Sequence, residues 1–155
     1  MIIRHFGRSD EIDRSSAVVE KCRLDSRACL IGADPDLALH LDADGVHWPA
    51  RLAKSARQSA HLFALNTMSA HSRLELRLAS DIGMDAALVS TVFASASPSA
   101  TTPLGLPRFA NISRNSRLPI YALGGIDHSN AERVSRFGGF ASVSGFQDLL
   151  PRNGD

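Results

Sequence analysis

Two glycine-containing segments are among the parts of this chain best suited to chemistry. "YALGGID" is an apolar run that leads into Gly124 and Gly125, and "FASVSGF" contains Ser144 and Gly145. Adjacent glycines at a strand end indicate a turn with positive φ, or a backbone that a ligand approaches closely. If a helix follows, its N-terminus carries about half a positive charge and favours an anion. The segments therefore predict a phosphate site, with plain tight turns as the alternative.

His71 is the residue best suited to proton transfer. It lies in "NTMSAHSRLE", just before a predicted helix start, with Ser69 and Ser72 beside it. The reference pKa of histidine, about 6.5, suits a general acid or base near neutral pH. A histidine that only hydrogen-bonds at the helix start is the alternative, and the sequence pattern leaves both interpretations open.

Other patterns typical of catalytic or metal sites are missing from the sequence. It contains no metal-helix pair of histidines, no G-x-G-x-x-G, no Walker lysine and no G-x-S-x-G. His47, beside Trp48, is more typical of a strand wall than of a ligand. Cys22 and Cys29 lack the number and spacing of a zinc site or a disulfide framework, so we expect two buried apolar side chains. Metal, dinucleotide and serine-hydrolase functions therefore receive little support.

Composition and charge narrow the class of protein further. The 155 residues are 44% hydrophobic and 21% charged, and 17 basic residues against 16 acidic ones give a net charge of +1. That balance leaves no excess of positive charge of the kind that binds nucleic acid. No apolar run approaches the roughly 18 residues of a membrane span, and the first residues lack a signal-peptide pattern. We therefore expect a cytoplasmic protein with a small-molecule ligand and with neither a nucleic-acid nor a membrane partner.

The candidate residues follow predicted strands. Seven apolar runs alternate with helical patterns and predict strands at 1–6, 28–33, 44–49, 61–68, 85–93, 118–126 and 140–146. This alternation indicates parallel βα units, in either a doubly wound sheet or a (β/α)₈ barrel. In both architectures the functional residues lie at the carboxyl ends of the strands. We predict one domain over residues 1–150 and a C-terminal tail over 151–155.

Three helix starts follow from capping patterns. Asp34 before Pro35 is typical of an N-cap with proline at the first helical position. Ser72 and Ser129 each lie three residues before a glutamate, which is the spacing of a capping box. For the helix after Ser72, the apolar spacing predicts a buried face formed by Leu74, Leu78 and Ile82.

Several stretches together resemble the thiamin phosphate synthase/TenI family. They are "DLALHLDADGVHWP" (36–49), "MSAHSRLELRLASDIGMDAALVSTVF" (68–93), "PLGLPRFA" (103–110) and "LPIYALGGIDHSNAERVSRFGGFASVSG" (118–145), while "MIIRHFG" resembles the family's second strand. The resemblance implies an α/β fold of the TIM type, a (β/α)₈ barrel. We therefore expect the seven predicted strands to correspond to the second through eighth, with the first βα unit either encoded upstream or missing from the barrel.

The family's synthases join a hydroxymethylpyrimidine diphosphate to a thiazole phosphate and use Mg²⁺ to hold the diphosphate. Part of that apparatus differs here, because Gly32 and Ala33 stand where the family has an Asn-Asp pair and Leu52 replaces an aspartate. Mg²⁺ prefers hard oxygen ligands, usually one or two carboxylates with phosphate oxygens, and Asp34 is the nearest carboxylate left. We therefore expect no cofactor, with Mg²⁺ needed only if synthase activity is retained.

TenI-type members isomerise a thiazole carboxylate phosphate by proton transfer and use the histidine of S-x-H-S, which His71 matches. The resemblance thus implies a catalytic His71, and substrate or phosphate binding by Arg4, Ser69, Ser72, Ser95, Gly124, Gly125, Ser144 and Gly145. A TenI-like tautomerase is favoured because it needs a base and an anion anchor but no metal. A thiamin phosphate synthase and a non-catalytic phosphate-ligand-binding module are the alternatives. The family's usual behaviour favours a homodimer.

Overall fold

The computed structural model describes residues 1–4, 9–97, 100 and 102–143, without the side chains of residues 9–11. The chain divides into two compact units. Unit 1 contains residues 1–69 and 78–85, and unit 2 contains residues 70–77 and 86–155. Two predicted site residues, Ser144 and Gly145, and the predicted tail lie outside the described residues.

Unit 1 is built on parallel strands that follow one another in chain order. They are β1 (Ile2–Arg4), β2 (Leu30–Gly32), β3 (Gly45–Trp48) and β4 (Leu65–Ala70), whose last residue counts with unit 2. The helices are α1 (Ser9–Leu24), α2 (Pro35–His40) and α3 (Ala53–Ser59), with 3₁₀ turns at Ala50–Leu52 and Ala60–Leu62. The predicted cap of α2 is confirmed, because Asp34 Oδ1 accepts the Leu37 N–H at 2.9 Å and Pro35 follows directly.

One row of unit 1 brings polar side chains together. Arg4, Gly32, His47 and Thr67 are register partners across β1 to β4. Because side chains alternate between the two faces of a strand, Ser69 lies on the same face as Thr67.

The opposite face of β3 and β4 is apolar. Val46, Trp48 and Met68 are fully buried there, and the Trp48 indole donates to Asn66 Oδ1 at 3.0 Å. Both cysteines are buried as predicted, and burial together with the neighbouring Cys22 raises the pKa of Cys29 to about 12.

Unit 2 contains β5 (Ala86–Ser90), β6 (Ile120–Leu123) and β7 (Gly139–Phe140), which are parallel and again in chain order. Its helices are α5 (Leu106–Arg114) and α6 (Ala131–Ser135), while α4 (Arg73–Asp81) begins in unit 2 and ends in unit 1. The core packs these elements together through buried Ala70, Leu76, Ala87, Val89, Val92, Phe109, Ile120, Ala122, Ile126, Ala131 and Val134. No helix in the described part of the chain is long and apolar enough to cross a membrane.

Seven strands were predicted and the described residues contain seven, but some details of the prediction are wrong. The fourth strand begins at Leu65 rather than at 61, because the chain first completes the 3₁₀ turn Ala60–Leu62. The α3 helix was not predicted. In α4, Leu74 is 78% exposed, and Leu76 and Ala79 are the buried residues. The prediction that Leu74 belongs to the buried face of this helix is therefore wrong.

The second predicted capping box is also wrong. Asn130, rather than Ser129, is the N-cap residue of α6 and makes no side-chain cap hydrogen bond. The Ser129 hydroxyl instead donates to Asp127 Oδ1 at 2.6 Å. Hydrogen bonds from the side chain and backbone of Ser129 lower the pKa of Asp127.

Candidate functional site

His71 follows β4 and is held at both its backbone and its ring. Its backbone N–H donates to Glu75 Oε2, and its ring Nδ1 lies 2.8 Å from the carbonyl oxygen of Ser90, the last residue of β5. The Ser90 hydroxyl lies further from Nδ1, at 3.4 Å. The imidazole is therefore positioned by the end of a strand, while its side chain stays exposed.

The contact with Ser90 assigns the tautomer of neutral His71. A carbonyl oxygen can only accept a hydrogen bond, so Nδ1 must carry the proton. Nε2 then has a lone pair, and no residue that the structure describes lies within hydrogen-bond distance of it. The arrangement leaves an exposed nitrogen able to accept a proton from a ligand.

Gly124 and Gly125 directly follow β6 in a left-handed conformation, with φ of 97° and 64°. The approach to them is close, because a Cβ on Gly124 would lie 2.6 Å from Thr91 Cγ2 and one on Gly125 would lie 2.3 Å from the Ala94 oxygen. The glycines thus combine positive φ with a close approach, but the group that approaches closely in this structure is the protein's own 91–94 segment.

In the glycine pair the carbonyl groups are hydrogen-bonded, whereas the N–H groups have no partner in the described part of the chain. The Gly124 carbonyl accepts from the Phe93 N–H at 3.0 Å, and the Gly125 carbonyl accepts from Asn130 Nδ2 at 2.8 Å. Neither glycine N–H has a hydrogen-bond acceptor among residues 1–4, 9–97, 100 and 102–143. Two adjacent free N–H groups in this conformation can form an anion-binding concavity.

His71 and the glycine pair are both connected to the carboxyl end of β5. Ser90, which anchors the His71 ring, is the register partner of Leu123, and Gly124 follows Leu123 directly. The peptide bond between Ser90 and Thr91 is cis. Unit 2 therefore brings the predicted base and the Gly124–Gly125 pair to the carboxyl ends of β5 and β6.

The predicted serines in unit 2 have structural partners. Ser72 Oγ accepts the Glu75 N–H at 3.2 Å, which confirms the predicted helix cap, and Ser95 Oγ accepts the Ser97 N–H at 3.2 Å. A hydroxyl that accepts one hydrogen bond can still donate its own proton. A substrate-binding role for either serine stays a prediction.

Unit 1 holds a second cluster around a histidine, which the sequence pattern did not predict. His47 Nδ1 lies 2.8 Å from Thr67 Oγ1, and His47 Nε2 lies 2.9 Å from Ser69 Oγ. Burial, helped by the positive charge of Arg4, lowers the pKa of His47 to about 4. Period-two alternation along "LNTMSA" could have placed Thr67 and Ser69 on one face, but no sequence signal named His47 as their partner.

The residues near the ends of β2 and β3 do not fit Mg²⁺. Gly32 and Ala33 offer no carboxylate, Leu52 in the 3₁₀ turn is apolar, and one oxygen of Asp34 already caps α2. Within the described ranges, no group of three His, Cys, Asp or Glu residues is placed to hold a metal ion. This donor set lacks the carboxylates that Mg²⁺ prefers.

Comparison with known proteins identifies the family. The family model described as thiamine monophosphate synthase matches residues 4–146. This chain belongs to that family. It is 38% identical over 117 residues to the thiamine-phosphate synthase of Chloroflexus aurantiacus and 34% identical over 116 residues to that of Methanococcus maripaludis. Both alignments cover 70% of this chain but only 52% and 54% of the relatives, so the chain spans about half their length.

A solved structure shows the same fold. The thiamine phosphate pyrophosphorylase from Pyrococcus furiosus matches with a TM-score of 0.78 and 23% identity, over 92% of this chain and 70% of that one. Such a structural similarity between distant sequences is evidence for the fold alone. The predicted α/β class of TIM type is confirmed, with seven strands in the described part of this thiamine monophosphate synthase family chain. The roles of the predicted site residues stay predictions.

Proposed function

We propose that this chain is a TenI-like thiazole tautomerase within the thiamine monophosphate synthase family. The observation that carries the proposal is the half-anchored ring of His71. Nδ1 donates to the Ser90 carbonyl at 2.8 Å, while Nε2 has no partner among the described residues. A histidine fixed through one nitrogen and open at the other is suited to carry a proton between two positions of a substrate.

The proposed reaction moves one proton within a thiazole carboxylate phosphate. Nε2 of His71 takes a proton from one position of the thiazole, the double bond shifts, and the same proton returns at the second position. No atom is gained or lost, so a single base is sufficient. The Ser90 carbonyl favours the transient imidazolium, because a hydrogen bond from a charged donor is stronger than one from a neutral donor.

The phosphate of the substrate is assigned to the Gly124–Gly125 turn. Its two N–H groups lack partners in the described residues, and the turn follows the strand beside the one that anchors His71. Phosphate binding by Ser144 and Gly145, and substrate binding by Arg4, Ser69, Ser72 and Ser95, stay predictions. In this role the glycine pair fixes the substrate, and His71 acts on it.

Thiamine-phosphate synthase activity is the second candidate, because both named relatives carry that name. It would join a pyrimidine diphosphate to a thiazole phosphate with Mg²⁺. The replacement of an expected Asn-Asp pair by Gly32 and Ala33, and of an expected aspartate by Leu52, weighs against it. A homodimer, a cytoplasmic location and the lack of nucleic-acid and membrane partners stay predictions under either function.

The test is isomerisation of thiazole carboxylate phosphate by wild type, His71→Ala and His61→Ala, each without added metal. His61 is a matched control because it is also exposed and lies outside the proposed site. We expect about 10²–10⁴-fold lower kcat in His71→Ala and an unchanged rate in His61→Ala. Equal rates in wild type and His71→Ala would overturn the proposal.

A second assay separates the two candidate functions. Wild-type protein is supplied with hydroxymethylpyrimidine diphosphate, thiazole phosphate and Mg²⁺, and thiamin phosphate is measured. The tautomerase proposal predicts isomerisation without formation of thiamin phosphate. Mg²⁺-dependent formation of thiamin phosphate, without isomerisation, would favour the synthase instead.

A further inference from the structure

We propose that His47 is a positioning residue for Ser69, holding the Ser69 hydroxyl in the orientation in which it contacts the substrate. The inference rests on the proposed function, in which Ser69 is a substrate-binding residue. It assigns to His47 a role in the reaction that is separate from that of His71.

The geometry that supports this role fixes both ends of the imidazole. Nδ1 lies 2.8 Å from Thr67 Oγ1, and Nε2 lies 2.9 Å from Ser69 Oγ. Thr67 is the register partner of His47 and is only 7% exposed, and as a β-branched residue it is restricted at χ1. The ring therefore has a rigid support on one side, and the Ser69 hydroxyl is held on the other.

The two contacts also restrict how Ser69 can hydrogen-bond. A neutral imidazole has one donor nitrogen and one acceptor nitrogen. The hydroxyl facing Nε2 must take the complementary role, so its remaining hydrogen-bonding capacity points away from His47. An unsupported serine would instead rotate among three staggered positions.

The charges around His47 favour the neutral ring that this role needs. Protonation would make both ring nitrogens donors and place a second positive charge near Arg4. Burial and the Arg4 guanidinium instead keep the pKa of His47 low, at about 4. At neutral pH the ring is thus suited to holding a hydroxyl and poorly suited to taking a proton from a substrate.

The test is a double-mutant cycle on kcat/KM for thiazole isomerisation, using His47→Gln, Ser69→Ala and the double variant. If His47 acts through Ser69, each single change lowers kcat/KM about tenfold and the double variant is no worse than Ser69→Ala. A purely structural role predicts that the two losses multiply. That multiplication overturns the inference while leaving the proposed function intact.

Two additions keep the test decisive. Thr67→Val retains the shape of the side chain but removes the hydrogen bond to His47 Nδ1, so it replaces His47→Gln if that variant does not fold. We expect Thr67→Val to lower kcat/KM less than His47→Gln does, and to cause no further decrease when Ser69→Ala is already present. If wild-type protein binds thiazole phosphate without turnover, the proposed tautomerase fails and the same cycle is read on Kd by calorimetry. Wild-type protein that neither turns over nor binds overturns both proposals.

Discussion

The two histidine clusters of this chain use the same side chain in opposite ways. His47 in unit 1 is hydrogen-bonded at both nitrogens, and burial and Arg4 lower its pKa to about 4. His71 in unit 2 is exposed and anchored at Nδ1, with Nε2 open. A ring held at both ends can orient a neighbour, whereas a ring held at one end can exchange a proton with a ligand. The hydrogen-bond count of a histidine is therefore more informative than its position at a strand end.

The largest expected effect comes from removing Nε2 of His71 while keeping its anchor. In His71→Asn, the side-chain amide can still donate to the Ser90 carbonyl, but no basic nitrogen remains. We expect kcat for thiazole isomerisation to fall at least about 100-fold, with KM changed only a few-fold. Steady-state kinetics measure both constants. A variant that keeps a third of wild-type kcat would show that anchoring, and not the free nitrogen, is what matters.

For the free energy of unfolding, we expect the larger effect from the His47 cluster and the smaller one from His71. His47→Ala leaves the hydroxyls of buried Thr67 and half-buried Ser69 without this partner, and we expect the free energy of unfolding to fall by about 2–4 kcal/mol. His71→Ala removes an exposed ring and should cost less than about 1 kcal/mol. Urea unfolding of both variants beside wild type measures the difference. Equal losses would contradict the contrast drawn between the clusters.

The buried ring should also make stability depend on pH. The folded-state pKa of His47, about 4, lies below the unfolded value of about 6.5. Between these values the unfolded chain binds a proton that the folded protein does not, so stability falls as pH decreases from about 6.5 to 4. The full loss is about 3 kcal/mol, and it stops growing below pH 4.

The difference between the wild-type and His47→Gln unfolding curves isolates this effect from that of the carboxylates. Urea unfolding at half-unit pH steps should give a difference that grows from about pH 6.5 down to 4. A flat difference over that range would mean that His47 titrates alike in the folded and unfolded chain.

The smallest effect expected concerns the start of the helix that follows His71. Ser72 Oγ accepts the Glu75 N–H, so Ser72→Ala should cost about 1 kcal/mol of stability. Ser129→Ala is the matched control, since Ser129 does not cap α6 and should cost less. Thermal unfolding of the two variants compares them. A larger loss in Ser129→Ala would reverse the assignment of the caps.

Some features could be predicted because their causes are local. Asp34 and Ser72 cap helices as their sequence patterns predicted, since a cap depends on a few neighbouring residues. The Ser129 pattern failed because Asp127, two residues away, takes the hydroxyl first. The α3 helix was missed because "AKSARQS" buries only Ala56, which leaves no apolar periodicity to detect.

In the candidate site, too, features with local causes could be predicted and features that depend on distant residues could not. Strand ends and the glycine pair could be located from apolar runs and turn residues. The contacts of His71 with Ser90 and of His47 with Thr67 and Ser69 join residues 19, 20 and 22 positions apart. Such contacts depend on strand register, which a single sequence does not specify. The sequence around His47 therefore predicts a strand-wall residue, and its contacts with Thr67 and Ser69 become visible only in the structure.

Gly32 gives the register row of unit 1 a property that its polar residues alone would not have. It lies between Arg4 on β1 and His47 on β3, and an added Cβ would lie 3.6 Å from Arg4 Cγ. Because position 32 has no side chain, no group of β2 separates the Arg4 and His47 side chains along this row. The charge of Arg4 can thus add to burial, the larger cause, in lowering the pKa of a ring two strands away. A substitution at position 32 would alter the acid–base behaviour of the cluster without replacing any group that titrates.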